Sequence, residues 1–223
     1  MPGTPRVVIA APSSGHGKSA VAVGLLAALR QQELRTTGFK IGPDYVDAGY
    51  LGLAAGRPAR NLDPRMLGPT WVAPLFLHGA AGGDIAVIEG AMGLYDGAET
   101  ESTAQLAAML RAPVVLVVDA GSMGQSVAAL VHGFRAYDEL LWLGGVILTR
   151  VGSDRHEQLL RESLDDIGVP VLGALRLRQL AGAPLPARDE GLAPVVQETV
   201  AARRAVRLLG EVVADGVDVE RVL

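Results

Sequence analysis

The chain has 223 residues, 49% apolar and 20% charged, with a net charge of −4 and no cysteine. That length and mix suit one large α/β domain, burying about 70% of its unfolded surface. The acidic balance argues against general nucleic-acid binding, and the missing cysteine excludes disulfides, thiolate metal sites and a cysteine nucleophile within these residues, fitting a reducing cytoplasm.

The first apolar run, Val7-Val8-Ile9-Ala10, predicts a buried strand. Pro12-Ser13-Ser14 cuts it off, too soon for a signal peptide, and no later run approaches a membrane span. The strand leads into Ala-Pro-Ser-Ser-Gly-His-Gly-Lys-Ser at 11–19, and then a helix over 19–32. A strand running into a glycine-rich turn that ends Gly-Lys-Ser is a phosphate cradle: backbone N–H groups and the helix's positive end face one anion. Lys18 can reach outer phosphates and the Ser19 hydroxyl can ligate Mg²⁺. The usual first glycine of the pattern is Pro12 here.

A strand is expected at 36–41, then a Gly-, Pro- and Asp-rich stretch over 42–68 with one short helical piece near 47–55. Further on, a helix at 71–77 precedes a strand at 85–89, a helix at 102–110 and an apolar strand at 113–119. Next come a helix at 125–137, a strand at 144–149, a helix at 155–166, a strand at 169–175 and a last helix at 196–212. Residues 181–194 read as a long loop, and 215–223 as a domain edge where a linker would begin. Short apolar strands alternating with helices predict a doubly wound, mostly parallel α/β sheet whose ligands bind at the carboxyl ends of its strands.

Four segments should therefore converge. They are the cradle; Lys40-Ile-Gly-Pro-Asp44-Tyr45-Val-Asp47 after the second strand; Glu89-Gly-Ala-Met-Gly-Leu-Tyr-Asp-Gly after the 85–89 strand; and Asp119-Ala-Gly. Asp44 and Glu89 are favoured as Mg²⁺-site carboxylates. Helix capping is the competing role for Asp44 and Asp47, a solvated surface position for Lys40, and a structural role for Asp119. The four histidines, 16, 78, 132 and 156, lack metal-ligand spacing. Arg203, Arg204 and Arg207 form a basic stripe read as a solvated face, with membrane or partner contact second. Trp71 and Trp142 are read as core or partner surface.

These segments, with Gly56-Arg57-Pro-Ala-Arg60-Asn-Leu-Asp63, the 125–134 run Gln-Ser-Val-Ala-Ala-Leu-Val-His-Gly-Phe and the 145–153 run Gly-Val-Ile-Leu-Thr-Arg-Val-Gly-Ser, closely resemble the cobyrinic acid a,c-diamide synthases, including the hydrogenobyrinic acid enzymes. The likeness covers nearly the whole chain. It implies a P-loop NTPase fold similar to dethiobiotin synthetase, and one amidoligase domain over 1–223. The family's C-terminal glutaminase half, with its cysteine nucleophile, is expected to lie outside these residues and to supply ammonia. The implied reaction is ATP-dependent amidation of the a and c carboxylates of a tetrapyrrole polyacid, through an acyl phosphate.

By that resemblance Ser14, Gly15, His16, Gly17, Lys18 and Ser19 bind ATP, and Ser19, Asp44 and Glu89 take Mg²⁺. Lys40 neutralises the transferring phosphoryl group or the substrate carboxylate, and Asp47 sits where that carboxylate meets ammonia. Tyr45, Arg57, Arg60 and Asp63 face the substrate. Thr149 stands where the family usually has Asn, a residue associated with the nucleotide base, and Asp189-Glu190 stands in a loop that usually reads Arg-His-Leu-Gly-Leu. The alternatives are a nickel-sirohydrochlorin diamide synthase, an inactive binding domain, and a partition- or cell-division-type switch ATPase. Against the last, Ser13 occupies the place of its extra lysine. A homodimer is left open; no nucleic-acid or membrane partner is expected.

Overall fold

A computed structural model describes residues 3–97, 101–182, 185 and 200–222. Seven strands form one sheet in the order β3-β2-β4-β1-β5-β6-β7. They are β1 (Arg6–Ala10), β2 (Thr36–Ile41), β3 (Arg60–Leu62), β4 (Ile85–Glu89), β5 (Val114–Asp119), β6 (Leu143–Val151) and β7 (Val171–Arg176). Every neighbouring pair is parallel. The central strands bury both faces, so period-two alternation divides them between two cores. Val7 and Ile9 join one core, Val8 and Ala10 the other.

Helices cover both faces. The first core is closed by α1 (Lys18–Gln31), α2 (Tyr45–Ala55), α9 (Val200–Gly216) and α10 (Val219–Val222). The second is closed mainly by α4 (Pro69–Ala80), α5 (Thr103–Leu110), α6 (Ser126–Tyr137) and α7 (Asp154–Asp165). The short α3 (Pro64–Leu67) and α8 (Leu177–Gly182) complete the described helices. Helix α1 is apolar almost all round because sheet, α2 and α9 enclose it. Gly24 allows the close approach of α9: a Cβ there would collide with the Val213 side chain and lie 2.7 Å from the Leu209 carbonyl oxygen. Burying each Leu or Val along this seam contributes about 1.5–3 kcal/mol.

The chain leaves β1 toward β2 on one side, and later returns through β4 to β5 on the other. The carboxyl end of β1 is thus the topological switch point, where doubly wound sheets bind ligands.

Three sequence expectations need correction. The 42–68 stretch holds the edge strand β3 and helix α3 besides α2. Residues 215–222 are no linker: α9 runs through Gly216, and Val219 and Val222 are buried in the first core. Trp71 and Trp142 are 63% and 62% exposed, so neither serves the core. Asp189-Glu190 and most of the expected 181–194 loop lie outside the described residues.

Candidate active site

Two left-handed glycines shape the turn after β1. Gly15 and Gly17 have φ of 89° and 94°, a region that strains any residue with a Cβ. Gly17 is the N-cap of α1, where no side chain caps the helix and no acid occupies the first turn. The first N–H groups of a helix have no partner inside it, and its dipole end is positive. The turn can therefore accept an anion.

Lys18 follows, largely buried. Its Nζ donates to the Met92 carbonyl at 2.6 Å and the Ser13 carbonyl at 3.3 Å. Burial first, then the charge of Lys40, lowers its pKa. An incoming polyanion relieves both.

Behind Lys18 lies a buried polar chain. The Ser19 hydroxyl donates to Glu89 Oε1 at 2.6 Å. Lys40 Nζ is 3.0 Å from the same oxygen and 2.9 Å from Asp47 Oδ2, and donates to the Gly90 carbonyl at 3.1 Å. Register explains the meeting: Lys40 and Glu89 are directly paired across β2 and β4, and Asp47 lies in the first turn of α2. Burial alone would lower the pKa of Lys40, but Glu89 and Asp47 outweigh it and raise it, so the ammonium is held. Burial pushes the Glu89 carboxyl up, with Lys40 opposing and Asp47 adding.

Glu89 is 0% exposed, and its Oε2 has no hydrogen-bond partner among the described residues. Two carboxylates here face one ammonium. An orphaned carboxylate oxygen beside a hydroxyl fits a hard divalent cation. No group of three or more His or acidic residues surrounds that spot among the described residues.

The far wall of the cradle comes from β5 and β6. The Asp119 N–H donates to His16 Nδ1 at 2.8 Å. A ring nitrogen that accepts carries no proton, so His16 is neutral; burial, the largest cause, likewise lowers its pKa. The Thr149 hydroxyl donates to the His16 carbonyl at 2.9 Å. Arg150, at a left-handed φ of 56°, is 2.6 Å from Asp119 Oδ2 and reaches the Gly15 carbonyl at 3.4 Å. A cavity of about 170 Å³ opens here, between the cradle, Thr149 and Arg150, and Leu180 and Leu185. Asp119 and Thr149 thus brace the cradle. The Thr149→Val variant is expected to lose about 1–2 kcal/mol of stability in urea melts and about threefold in nucleotide affinity by titration calorimetry.

Lys18, Ser19, Lys40, Asp47 and Glu89 are brought into one cluster. The other predicted residues are distributed differently. Asp44 caps α2, its Oδ1 accepting from the Val46 and Asp47 N–H groups at 3.0 Å each. Tyr45 opens the helix and is 60% exposed. Asp63 is buried and caps α3 through the Arg65 and Met66 N–H groups. Arg57 Nη2 donates toward the Gly79 and Ala81 carbonyls at the end of α4. The Arg60 side chain also lies over α4, where a Cβ on Gly79 would approach its Cδ to 3.0 Å. Sequence reasoning missed the Met92 carbonyl and Arg150. A backbone acceptor has no residue signature, and Arg150 acts through its unusual φ.

The sequence matches the CobQ/CobB/MinD/ParA nucleotide binding domain over residues 7–187. The chain belongs to that family. Membership makes it a nucleotide-binding domain. Within the comparison, the chain is 59% identical over 220 residues to the hydrogenobyrinate a,c-diamide synthase of Streptomyces coelicolor, covering 97% of this chain and 45% of that protein. It is 50% identical over 225 residues to the enzyme of the same name from Mycobacterium tuberculosis, covering 97% and 49%. The cobyrinate a,c-diamide synthase of Syntrophotalea carbinolica is 43% identical over 223 residues, covering 98% and 48%. The chain thus spans about half the length of these relatives. Chloroplast FtsY of Physcomitrella patens shares the family's fold, with a TM-score of 0.58 and 15% identity, covering 92% of this chain and 65% of that one.

Proposed function

We propose that this chain is the ATP-dependent amidating part of a hydrogenobyrinate a,c-diamide synthase, working in the cytoplasm. The observation that carries the reading is the buried Ser19–Glu89–Lys40–Asp47 chain beside an uncapped helix N-terminus. The names of the 59% and 50% identical relatives favour hydrogenobyrinate over its cobalt-bearing counterpart.

A carboxylate does not react with ammonia directly, because oxide is too poor a leaving group. The proposed route first activates it. A substrate carboxylate oxygen bonds to the γ-phosphorus of ATP, the bond to the β-phosphate oxygen breaks, and ADP leaves. Ammonia then bonds to the acyl carbon and phosphate departs. The protein's part is placement and charge neutralisation. The cradle N–H groups of residues 14–19 and Lys18 hold the phosphates. Ser19, Glu89 and Asp44 would hold Mg²⁺, which when bound spreads the negative charge of the phosphates. Lys40 neutralises the carboxylate as it approaches the phosphoryl group, and Asp47 accepts the proton that ammonia sheds. Tyr45 and Arg57 border the path of the substrate, and the 170 Å³ cavity beside Thr149 offers a place for the edge of the base.

The test is amidation by the purified chain given hydrogenobyrinic acid, ATP, Mg²⁺ and ammonium. Mass spectrometry should find amides formed in step with ADP. Glutamine should not replace ammonium until a glutaminase is added, since the sequence has no cysteine to release its ammonia. ADP without amide, or amide from glutamine alone, would refute the reading.

A further inference from the structure

A second cavity lies away from the cradle, on the α1, α2 and α9 side of the sheet. It encloses about 940 Å³, at the upper end of the range for small-molecule sites. The second half of α1 forms its floor, α2 one wall and α9 the other. Arg30, Arg203 and Arg207 line it, and no acidic residue does among those described.

The arginines are deliberately far from the chemistry. Arg30 lies against Gly56, the C-cap of α2: a Cβ there would fall 2.5 Å from its guanidinium carbon. Asp47, on the first turn of the same helix, pairs with Lys40. Nine residues of helix separate these points, about 13 Å along the axis. Tyr45, two residues before Asp47 at the start of α2, is among the residues that line the cavity. Among the described residues the Arg30 side chain makes no hydrogen bond or ion pair, and the Arg207 side chain is held by an exposed pair with Glu211 at 2.9 Å. Guanidinium groups are weakly hydrated forks that match carboxylates in pairs of hydrogen bonds.

Resting on the amidation reading above, we propose that Arg30 and Arg207 form a distal anchor for carboxylates of the polyacid substrate that are not themselves amidated. The anchor holds one rim of a broad macrocycle, so that a side chain on the opposite rim reaches Asp47 and Lys40. It binds ground state and transition state alike. Its loss therefore raises KM and spares kcat.

The experiment is steady-state amidation of hydrogenobyrinic acid with saturating ATP and ammonium. Arg30→Ala and Arg207→Ala should each raise KM for the polyacid about tenfold, one charge-assisted contact being worth roughly that. The turnover number at saturation should stay within about threefold of wild type, and KM for ATP should not move. Glu211→Gln releases Arg207 and should lower KM for the polyacid. Arg207 and Glu211 are both exposed on α9, so neither change threatens the fold. Salt should weaken the wild type more than the arginine variants. If the variants keep wild-type KM while amides still form, the anchor is refuted and the amidation reading stands. If the wild type turns over ATP but yields no amide from hydrogenobyrinic acid, the amidation reading fails and takes the anchor with it.

Discussion

Glu89→Gln is expected to slow amidation by about 10²–10³-fold, the usual cost of removing one preorganised charge from the reacting centre. The fold should survive. Lys40 keeps Asp47 at 2.9 Å and the Gly90 carbonyl at 3.1 Å, so no buried ammonium is stranded. The amide fills the same space, and burial already disfavours the charge it removes. What is lost is the anionic oxygen pair that faces Ser19 and Lys40, including Oε2 with no other partner among the described residues. The Mg²⁺ concentration for half-maximal rate should rise along with the loss. Asp44→Asn makes a useful companion. Asn caps a helix as well as Asp does, so α2 should persist and a fall in rate would report the Asp44 charge alone. Initial rates of amide formation, with thermal melts as control, decide both. Glu89→Gln turnover within tenfold of wild type would remove Glu89 from the metal site.

Much of this arrangement was legible in the sequence. Residues 7–10, 85–89 and 114–119 are short, apolar and bounded by turn residues, which marks strands covered on both faces. Functional groups at their carboxyl ends fall at the switch point by topology alone, so Lys18, Ser19, Lys40 and Glu89 could be gathered without coordinates. Edge strand β3 was not legible. Arg-Asn-Leu carries no strand pattern, and its pairing with residues 39–41 depends on β2 being beside it. Face parity on that strand decides Arg60. Asn61 lines the large cavity, so Arg60, one residue away, turns to the opposite face, over α4. Asp63 did carry a signal: Asp followed by Pro at the first helical position is a helix start. Arg30 carried none, since its place in the cleft depends on the end of α2 coming to lie against it at Gly56.

Lys40→Met separates stability from chemistry at the same cluster. Lys40 is 4% exposed and holds two buried carboxylates. Met matches its length without its charge, leaving Asp47 and Glu89 to face each other. Breaking a buried ion pair from one side costs about 3–5 kcal/mol. For a domain of this size that lowers Tm by roughly 6–20 °C. The loss should depend on pH, and its sign follows from Glu89. Burial and Asp47 already push its carboxyl up, and Lys40 opposes them. Without Lys40 the folded-state pKa rises further above the unfolded value. The folded variant then binds more protons than the unfolded chain, so its stability is fully present below the ordinary carboxylate range and falls as pH rises through the folded pKa. The variant should therefore lie nearest to wild type at acidic pH and furthest below it under alkaline conditions. Amidation should be lost throughout, because the cation assigned to the approaching carboxylate is gone while Lys18 stays committed to the phosphates. The double variant Lys40→Met/Asp47→Leu removes the repulsion and should recover much of the stability but none of the rate. Melting curves across pH, run beside rate assays, check both halves. Equal destabilisation of Lys40→Met at every pH would show that Glu89 does not depend on Lys40 for its ionisation.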